Sequence, residues 1–431
     1  MAMLPARGLT SQPIDPFVTC RSDVPILLDG KIGDVKINVA VLFGGKSVEH
    51  EVSVISAVQA MASINQEKYD VIPVYITKGN EFWCGPRLRD IEAYKNIPAL
   101  LKTCHRVNFA VRGPKTYLET ESGPIFARKS GLLIDVAFPI VHGTNVEDGA
   151  LQGFLETMNL PYVGPGVLAS AVGMDKYTMK VMLEHGGFPV LPGLRFSSSD
   201  QESIVGEVEK QFPYPVIVKP ANLGSSVGIS KADNAEELRD CVDLAFSFAR
   251  YAVVEPAVQN LREINCSVLG DSDSAEASEC EEPVMTDAIL SYEDKYVSSG
   301  GSGKVGKSGG GGSKGMASLK RRIPADITPE QREHIRTLAV DAFRYLDLAG
   351  VTRVDFLMDG TSGEIWINEV NTIPGSLAFY LWEPVGVSYP ELLDRLISLA
   401  LKRQRQSDDI TYAFDTNILA GASLGSKGSK R

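Results

Sequence analysis

Cysteine is scarce in this chain of 431 residues, and its six copies (Cys20, Cys84, Cys104, Cys241, Cys266, Cys280) include no C-x-x-C pair. That excludes a zinc site built on paired cysteines and favours a reducing compartment. Histidine is equally sparse, and His50, His105, His185 and His334 form no cluster, so they are expected on surfaces or helix faces. No apolar run approaches the roughly 20 residues of a membrane span. The N-terminus, MAMLPARGLTSQPIDPF, lacks a charged start followed by an apolar core, so a signal peptide is not indicated. Basic charge is in deficit, 43 Lys and Arg against 54 Asp and Glu. This excludes a broad nucleic-acid surface, although two or three placed lysines suffice for a phosphate-bearing substrate. The chain therefore reads as cytoplasmic, with no nucleic-acid or membrane partner.

Hydrophobic residues make up 44% of the chain and charged residues 23%, which suits a globular protein and not a disordered one. At roughly 150 residues per domain, two to three domains are expected. INVAVLF (37–43) is a branched, buried-type strand ending at Gly44-Gly45, followed by a helical pattern over 48–65 and a second strand, DVIPVYI (70–76). Strand, glycine turn, helix, strand predicts a parallel α/β sheet. IDVAFPIV (134–141) is another buried strand, running into HGTNVEDGALQG and a helix near 149–158. A second unit begins near Val163, with one helix over 167–186, a strand PVIVKP (215–220) and a helix over 232–249. A third begins near YAVVEP (251–256), with strands at 262–270, near 283–290, at 350–358 and at 364–370, and helices over 329–347 and 389–402. Residues 1–36 show no sustained period, and the polar tail after about 405 is predicted to be disordered. The tryptophans and the FYLW run at 379–382 are expected in cores.

Residues 298–315, SSGGSGKVGKSGGGGSKG, are costly to order and bring no apolar surface, so a mobile loop is expected. Such long loops are usually lids or linkers. Residues 301–308 match the phosphate-cradling P-loop letter for letter, yet that motif needs a strand feeding the glycines and a helix after Lys-Ser. YEDKYVSS before it and GGGGS after it supply neither, so the match is a low-complexity coincidence.

Three other constellations carry chemistry. In LFGGKSVEHEVS (42–53) a strand ends in two glycines and a helix begins near Ser47, whose free amides favour an anion. Glu49, one turn in, suits an ammonium group, against the plainer reading that Glu49 and Glu51 complement the helix dipole. In VKPANLGSSVGIS (218–230) Lys219 ends a buried strand, and Gly224, Ser225, Ser226 and Gly228 let backbone amides approach phosphate oxygens. The plainer reading there is a surface loop with a solvated lysine. In TRVDFLM…EIWINEVNTIPGS (352–376) period-two alternation puts Arg353 and Asp355 on one strand face and Glu369 and Asn371 on another. Two carboxylates and an amide oxygen suit a hard cation such as magnesium with nucleotide phosphates, against a pair of edge carboxylates facing solvent.

With GGKSVEHEVS, HGTNVEDGALQG, GMDK, VKPANLGSSVG, REI, RVDF and NEVNTIPG in this order, the sequence resembles the D-alanine–D-alanine ligase family of the ATP-grasp superfamily from about Val35 to Leu401. The resemblance implies an α/β (α+β), three-domain ATP-grasp architecture with an N-terminal parallel α/β domain. It divides the chain into an extension (1–36), a substrate domain (37–162), a central domain (163–253), a C-terminal domain (254–405) with a lid at 291–318, and a tail (406–431). ATP would lie between the second and third domains. The resemblance further implies that Lys176, Lys219 and the lid residue Lys295 contact phosphates, with Ser226 in the phosphate loop. Glu255 and Glu263 would contact adenine and ribose, and Asp355, Glu369 and Asn371 would ligate Mg2+ or Mn2+. Glu49 and His142 would lie beside the first substrate, Ser225 and Tyr296 would tie domains and lid together with Glu49, and Arg353 and the Gly375 amide would hold the oxyanion.

The implied reaction is ATP-dependent ligation of two D-alanines through an acyl phosphate for peptidoglycan precursors, by a homodimer. Alternatives are a D-alanine–D-lactate or D-serine ligase, another ATP-grasp carboxylate–amine ligase, and a non-catalytic nucleotide-binding regulator. Tyr296 after Lys295 favours a dipeptide over a depsipeptide. Three departures from the family pattern are Val146 in place of its usual glycine, an unusually glycine-rich lid, and SLAFYLW (376–382) in place of a hydroxyl-bearing stretch that grips the second substrate's carboxylate. Ser376 and Tyr380 are the candidates to supply that hydroxyl.

Overall fold

The structure, a computed structural model, describes residues 36–121, 131–283 and 321–411. Among these residues the strands form three sheets. The first is built from β1 (Ile37–Gly44), α1 (His50–Ser63), β2 (Tyr69–Ile76), β3 (Phe82–Cys84), α2 (Ile97–Leu101), β4 (His105–Arg112), β5 (Lys115–Thr120), β6 (Leu132–Ile134), β7 (Val136–Val141) and α3 (Ala150–Thr157). Its strand order is β6-β5-β4-β3-β2-β1-β7. β1 pairs in parallel with both β2 and β7, as the sequence pattern requires, and all six residues of β7 are buried. The remaining pairs are antiparallel, so the sheet is mixed where a parallel one was expected. The cause is the short connections: only Gly113 and Pro114 separate β4 from β5, and so short a link permits a hairpin but not a crossover.

The expected single helix over 167–186 is two, α4 (Val167–Met174) and α5 (Lys176–His185). Asp175 breaks it. Its side chain accepts the Thr178 N–H at 2.8 Å, a cap that competes with helical continuation, and its backbone is extended.

The second sheet, in order β10-β9-β11-β8, comprises β8 (Leu194–Ser197), α6 (Ile204–Gln211), β9 (Val216–Pro220), β10 (Ser230–Ala232), α7 (Ala235–Phe248) and β11 (Tyr251–Pro256). The third, β14-β13-β12-β15-β16, comprises β12 (Leu261–Gly270), β13 (Ala275–Pro283), β14 (Arg321–Arg322), α8 (Pro329–Tyr345), β15 (Gly350–Asp359) and β16 (Ile365–Asn371), followed by α9 (Tyr389–Asp408). The strand expected near 283–290 falls, apart from Pro283, outside the described residues, while β13 at Ala275–Pro283 was not expected; α9 extends to Asp408, into the segment expected to be a disordered tail. α8 starts on a reciprocal cap in which Thr328 and Gln331 exchange hydrogen bonds of 3.2 and 3.0 Å. α9 buries Leu392, Leu393, Leu396 and Ile397, one helical stripe, in the cluster that contains β1 and β7. At roughly 1.5–3 kcal/mol per fully buried side chain, this ties the chain's last helix to its first sheet. Among the described residues no helix is long and apolar enough to cross a membrane.

Candidate active site

The turn after β1 is shaped by its glycines. Gly45 sits at φ +96°, and a Cβ there would lie 2.5 Å from Val146 Cγ1, so the glycine makes room for the valine that departs from the family pattern. α1 begins at His50 and not near Ser47, which puts Glu49 at the mouth of the helix and not one turn in. His50 lies on the buried face of α1, 1% exposed, with Nδ1 2.7 Å from Gly45 O and Nε2 2.8 Å from the Tyr75 hydroxyl. A carbonyl only accepts, so Nδ1 carries the proton and Nε2 accepts from the tyrosine. This histidine fastens the glycine turn.

Glu49 is 7% exposed and accepts a hydrogen bond from Ser225 Oγ, 176 residues away. The loop after β9 comes so close that a Cβ on Gly224 would lie 2.5 Å from Glu49 Oε2. Ser225 and Ser226 take left-handed backbone angles, φ 54° and 58°, a conformation that costs an L-residue about 1–2 kcal/mol.

The break at Asp175 sets Lys176 at the start of α5, where its N–H donates to Ala221 O at 2.8 Å and its Nζ to Leu223 O at 2.7 Å. Lys176 Nζ also lies 3.1 Å from Glu369 Oε2. Lys219, at the end of β9, donates to Glu255 Oε2 at 2.8 Å and to Asn368 Oδ1 at 2.9 Å. The other oxygen of Glu255 accepts from Lys180. Burial opposes ionisation of Glu255, yet the two ammonium groups beside it hold its carboxyl down at about 2. Burial pushes Lys180 down to about 8 against the pull of Glu255. Lys180 was absent from the sequence reading, although its spacing of four from Lys176 puts both on one helix face.

β15 and β16 pair Arg353 with Asn371 and Asp355 with Glu369. Arg353 Nε and Nη2 donate to the two oxygens of Asp355 at 2.6 and 2.7 Å, and Asn371 Nδ2 donates to Asp355 Oδ2 at 2.9 Å. Burial works against the Arg353 charge, but Asp355 more than restores it. Cross-strand carboxylates with an amide beside them are the hard oxygen donors a divalent cation takes. Among the described residues no group of three or more His, Cys, Asp and Glu is placed to hold a metal ion.

His142, at the end of β7, is 3% exposed, with Nδ1 2.8 Å from Ile373 O and Nε2 3.2 Å from Ser56 Oγ. Burial and the Arg353 charge press its pKa down to about 4, so the ring is neutral. Glu147, quoted in HGTNVEDGALQG but given no role there, is 7% exposed, and burial and the Glu49 charge raise its carboxyl to about 7. Ser376 is fully buried and its hydroxyl donates to Gln59 Oε1 at 2.8 Å. The Tyr380 hydroxyl donates to Glu281 Oε1 at 3.3 Å, and the Arg321 guanidinium lies 3.9 Å from its ring centre. Lys295 and Tyr296, the lid at 291–318 and the P-loop-like letters lie outside the described residues.

Two cavities meet here. One, of about 60 Å³, is polar and lined by Glu49, His142, Glu147, Ser225, Arg353, Asn371 and Gly375. The other, of about 640 Å³, has apolar walls from Leu191, Ile217, Val258 and Leu357, with Lys219, Ser226, Glu255 and Glu263 around them. Lys176 and Glu369 line both. An apolar-walled cleft with lysines at one end suits a nucleotide, and a small polar cavity beside it suits an amino acid.

Residues 38–165 match the family model for the D-Ala-D-Ala ligase N-terminus, and residues 182–398 the model for the D-Ala-D-Ala ligase C-terminus. A D-alanine–D-alanine ligase of Bacillus cytotoxicus is 40% identical over 387 residues, covering 88% of this chain and 99% of that protein. Among solved structures, the D-alanine-D-alanine ligase from Coxiella burnetii superposes with a TM-score of 0.71 at 28% identity, covering 86% of this chain and 96% of its own. The VanG D-Ala:D-Ser ligase from Enterococcus faecalis superposes with a TM-score of 0.69 at 29% identity, covering 85% and 100%.

Proposed function

The chain belongs to the D-alanine–D-alanine ligase family, and from that premise we propose that it joins two D-alanines into D-alanyl-D-alanine while ATP is cleaved to ADP and phosphate. The observation that carries this reading is the shared wall: Lys176 and Glu369 line both the apolar-walled cleft and the polar cavity. A terminal phosphoryl group at the end of the first would meet a carboxylate held in the second.

The chemistry follows from leaving groups. An amine cannot displace oxide from a carboxylate, but it can displace phosphate from an acyl phosphate. On this reading the first D-alanine sits in the polar cavity with its ammonium on Glu49 and His142 alongside. One of its carboxylate oxygens attacks the γ-phosphorus of ATP, the bond to the bridging oxygen breaks, and ADP leaves. Lys176 and Lys219 neutralise charge on the transferring group, with Ser226 in the phosphate loop and Glu255 and Glu263 toward adenosine. Asp355, Glu369 and Asn371 would hold a divalent cation, Mg2+ or Mn2+, which when bound supplies further charge neutralisation at the phosphates. The neutral amine of the second D-alanine then attacks the acyl carbon. Arg353 and the Gly375 N–H meet the oxyanion, phosphate departs, and the amine's extra proton passes to solvent. We assign the second carboxylate to Tyr380 in preference to Ser376: both hydroxyls already donate, Ser376 to Gln59 at 2.8 Å and Tyr380 to Glu281 at a longer 3.3 Å, but only Tyr380 lies beside a cation, Arg321. Lys295 and Tyr296 are assigned to the lid on the family pattern.

We also propose the three domains 37–162, 163–253 and 254–405, a homodimer, and a cytoplasmic place in peptidoglycan precursor synthesis. The test is incubation with ATP, Mg2+ and D-alanine, with D-lactate and D-serine as competitors. Dipeptide as the main product supports the reading. Preferential capture of D-lactate or D-serine reassigns the second substrate.

A further inference from the structure

The backbone after Asn371 is strained. Ser376, Leu377 and Ala378 all sit at φ near +50°, specifically 51°, 54° and 49°. Three successive L-residues in this region cost roughly 1–2 kcal/mol each, so the turn persists only where its surroundings over-determine it. The Gly375 amide assigned to the oxyanion stands at the start of this turn, and Ile373 lies just before it.

Ile373 is held from both sides. Its N–H donates to Glu147 Oε1 at 2.9 Å, the oxygen that also accepts from Thr372 Oγ1 at 2.9 Å. Its carbonyl faces His142 Nδ1 at 2.8 Å. A carbonyl only accepts, so Nδ1 carries the proton of the neutral ring and Nε2 accepts from the Ser56 hydroxyl. The Ser56 oxygen in turn accepts the Ser376 N–H at 2.9 Å. The second oxygen of Glu147 accepts the Gly143 N–H at 2.8 Å, which anchors the carboxylate to the loop after β7. One acid, one imidazole and one hydroxyl thus fix residues 372, 373 and 376, on either side of Gly375, through contacts more than 200 residues apart in sequence.

We propose that Glu147 is a positioning residue for the acyl-transfer step: with His142 and Ser56 it clamps the strained turn that presents the Gly375 amide to the oxyanion. This rests on the ligase reading above and goes beyond it, because it gives a role to Glu147 through its hydrogen bonds to Gly143, Thr372 and Ile373. If the clamp acts on the oxyanion, its loss hinders amine attack more than phosphoryl transfer. The acyl phosphate then forms and is lost to water.

The test compares wild type with Glu147→Gln, which keeps the size but turns an N–H toward the Gly143 N–H. Phosphate release and dipeptide formation are measured in parallel, together with binding of an ATP analogue. The expected result is a fall in kcat of about 100-fold, the scale of a small misplacement of a reacting group. The phosphate-to-dipeptide ratio should rise clearly above one, with analogue binding within twofold of wild type. A merely structural lesion would not uncouple the two products. Should Glu147→Gln fail to fold, Ser56→Ala decides, since it removes the acceptor of the Ser376 N–H and the partner of His142 and should uncouple likewise. A folded variant of either kind with a ratio of one overturns the proposal. Wild type that makes no dipeptide refutes the ligase reading instead, so the two failures are distinguishable.

Discussion

Lys180→Met isolates the buried charge network at the nucleotide cleft. Lys180 is 5% exposed and Glu255 1%, and Glu255 gives one oxygen to Lys180 and the other, at 2.8 Å, to Lys219. Methionine keeps the length and the apolar stem but removes one of the two positive charges. Breaking a buried pair by deleting one partner costs roughly 3–5 kcal/mol, and because Lys219 remains, the lower end, about 3 kcal/mol, applies. At roughly 2–4 °C per kcal/mol for a unit of about 150–250 residues, the melting midpoint should fall by about 6–12 °C. The sign of the pH effect also follows. The carboxyl of Glu255 is depressed in the fold, so its contribution is present above its ordinary pKa of 4.5 and is lost as pH falls toward about 2. With one lysine gone the carboxyl is less depressed, so the loss still begins near 4.5 but should be smaller and complete at a higher pH than in the wild type. Lys219, left as the one lysine on Glu255 among the described residues, becomes less available to phosphate, and KM for ATP should rise by roughly tenfold, the equivalent of about 1.4 kcal/mol. Calorimetric melting at several pH values and ATP saturation curves measure both effects. A variant melting within about 1 °C of wild type with unchanged KM would refute the claim that this network supports the cleft.

Arg353→Ala should abolish dipeptide formation, because it removes the cation assigned to the oxyanion, while calorimetry still detects ATP-analogue binding; near-normal turnover would show that Arg353 is misassigned. Tyr380→Phe should raise KM for the second D-alanine by roughly tenfold, the value of one hydrogen bond to a charged group, and leave KM for ATP alone; substrate curves at fixed ATP check this. The raised carboxyl of Glu147 gives a stability term fully present below pH 4.5 and lost as pH rises through about 7. By the relation of 1.36 kcal/mol per pKa unit that term is roughly 3 kcal/mol. Glu147→Gln should flatten the decline in melting temperature between pH 4.5 and 8, and an equally steep decline in the variant would remove Glu147 as its source. Chelation of divalent ions should stop turnover reversibly, and activity that survives exhaustive chelation would count against Asp355, Glu369 and Asn371 as ligands.

Much of the centre of the fold was legible because its strands are covered on both faces and read as unbroken apolar runs, as β1, β2 and β7 do. The outer strands of the first sheet were not. HRVNFAVR and KTYLET in β4 and β5 alternate polar and apolar residues on a half-exposed surface and carry no such run. β13 went unforeseen for a similar reason: AEASECEEP packs small and acidic residues where a strand usually shows branched ones. The break at Asp175 escaped because helical periodicity continues on both sides and only a side-chain cap separates them. Within the site, residues in dense local motifs, such as Lys219, Ser225 and Asp355, were visible at once. Glu147, Ser56 and Lys180 were not, because their significance comes from contacts between segments remote in sequence, which no local pattern records.

The most direct measurement is the product balance of the purified chain supplied with ATP, Mg2+ and D-alanine. The account requires one phosphate and one ADP for each D-alanyl-D-alanine formed, with no phosphate release when D-alanine is withheld. ATP cleavage that ignores D-alanine, or the absence of both phosphate and dipeptide, would contradict it.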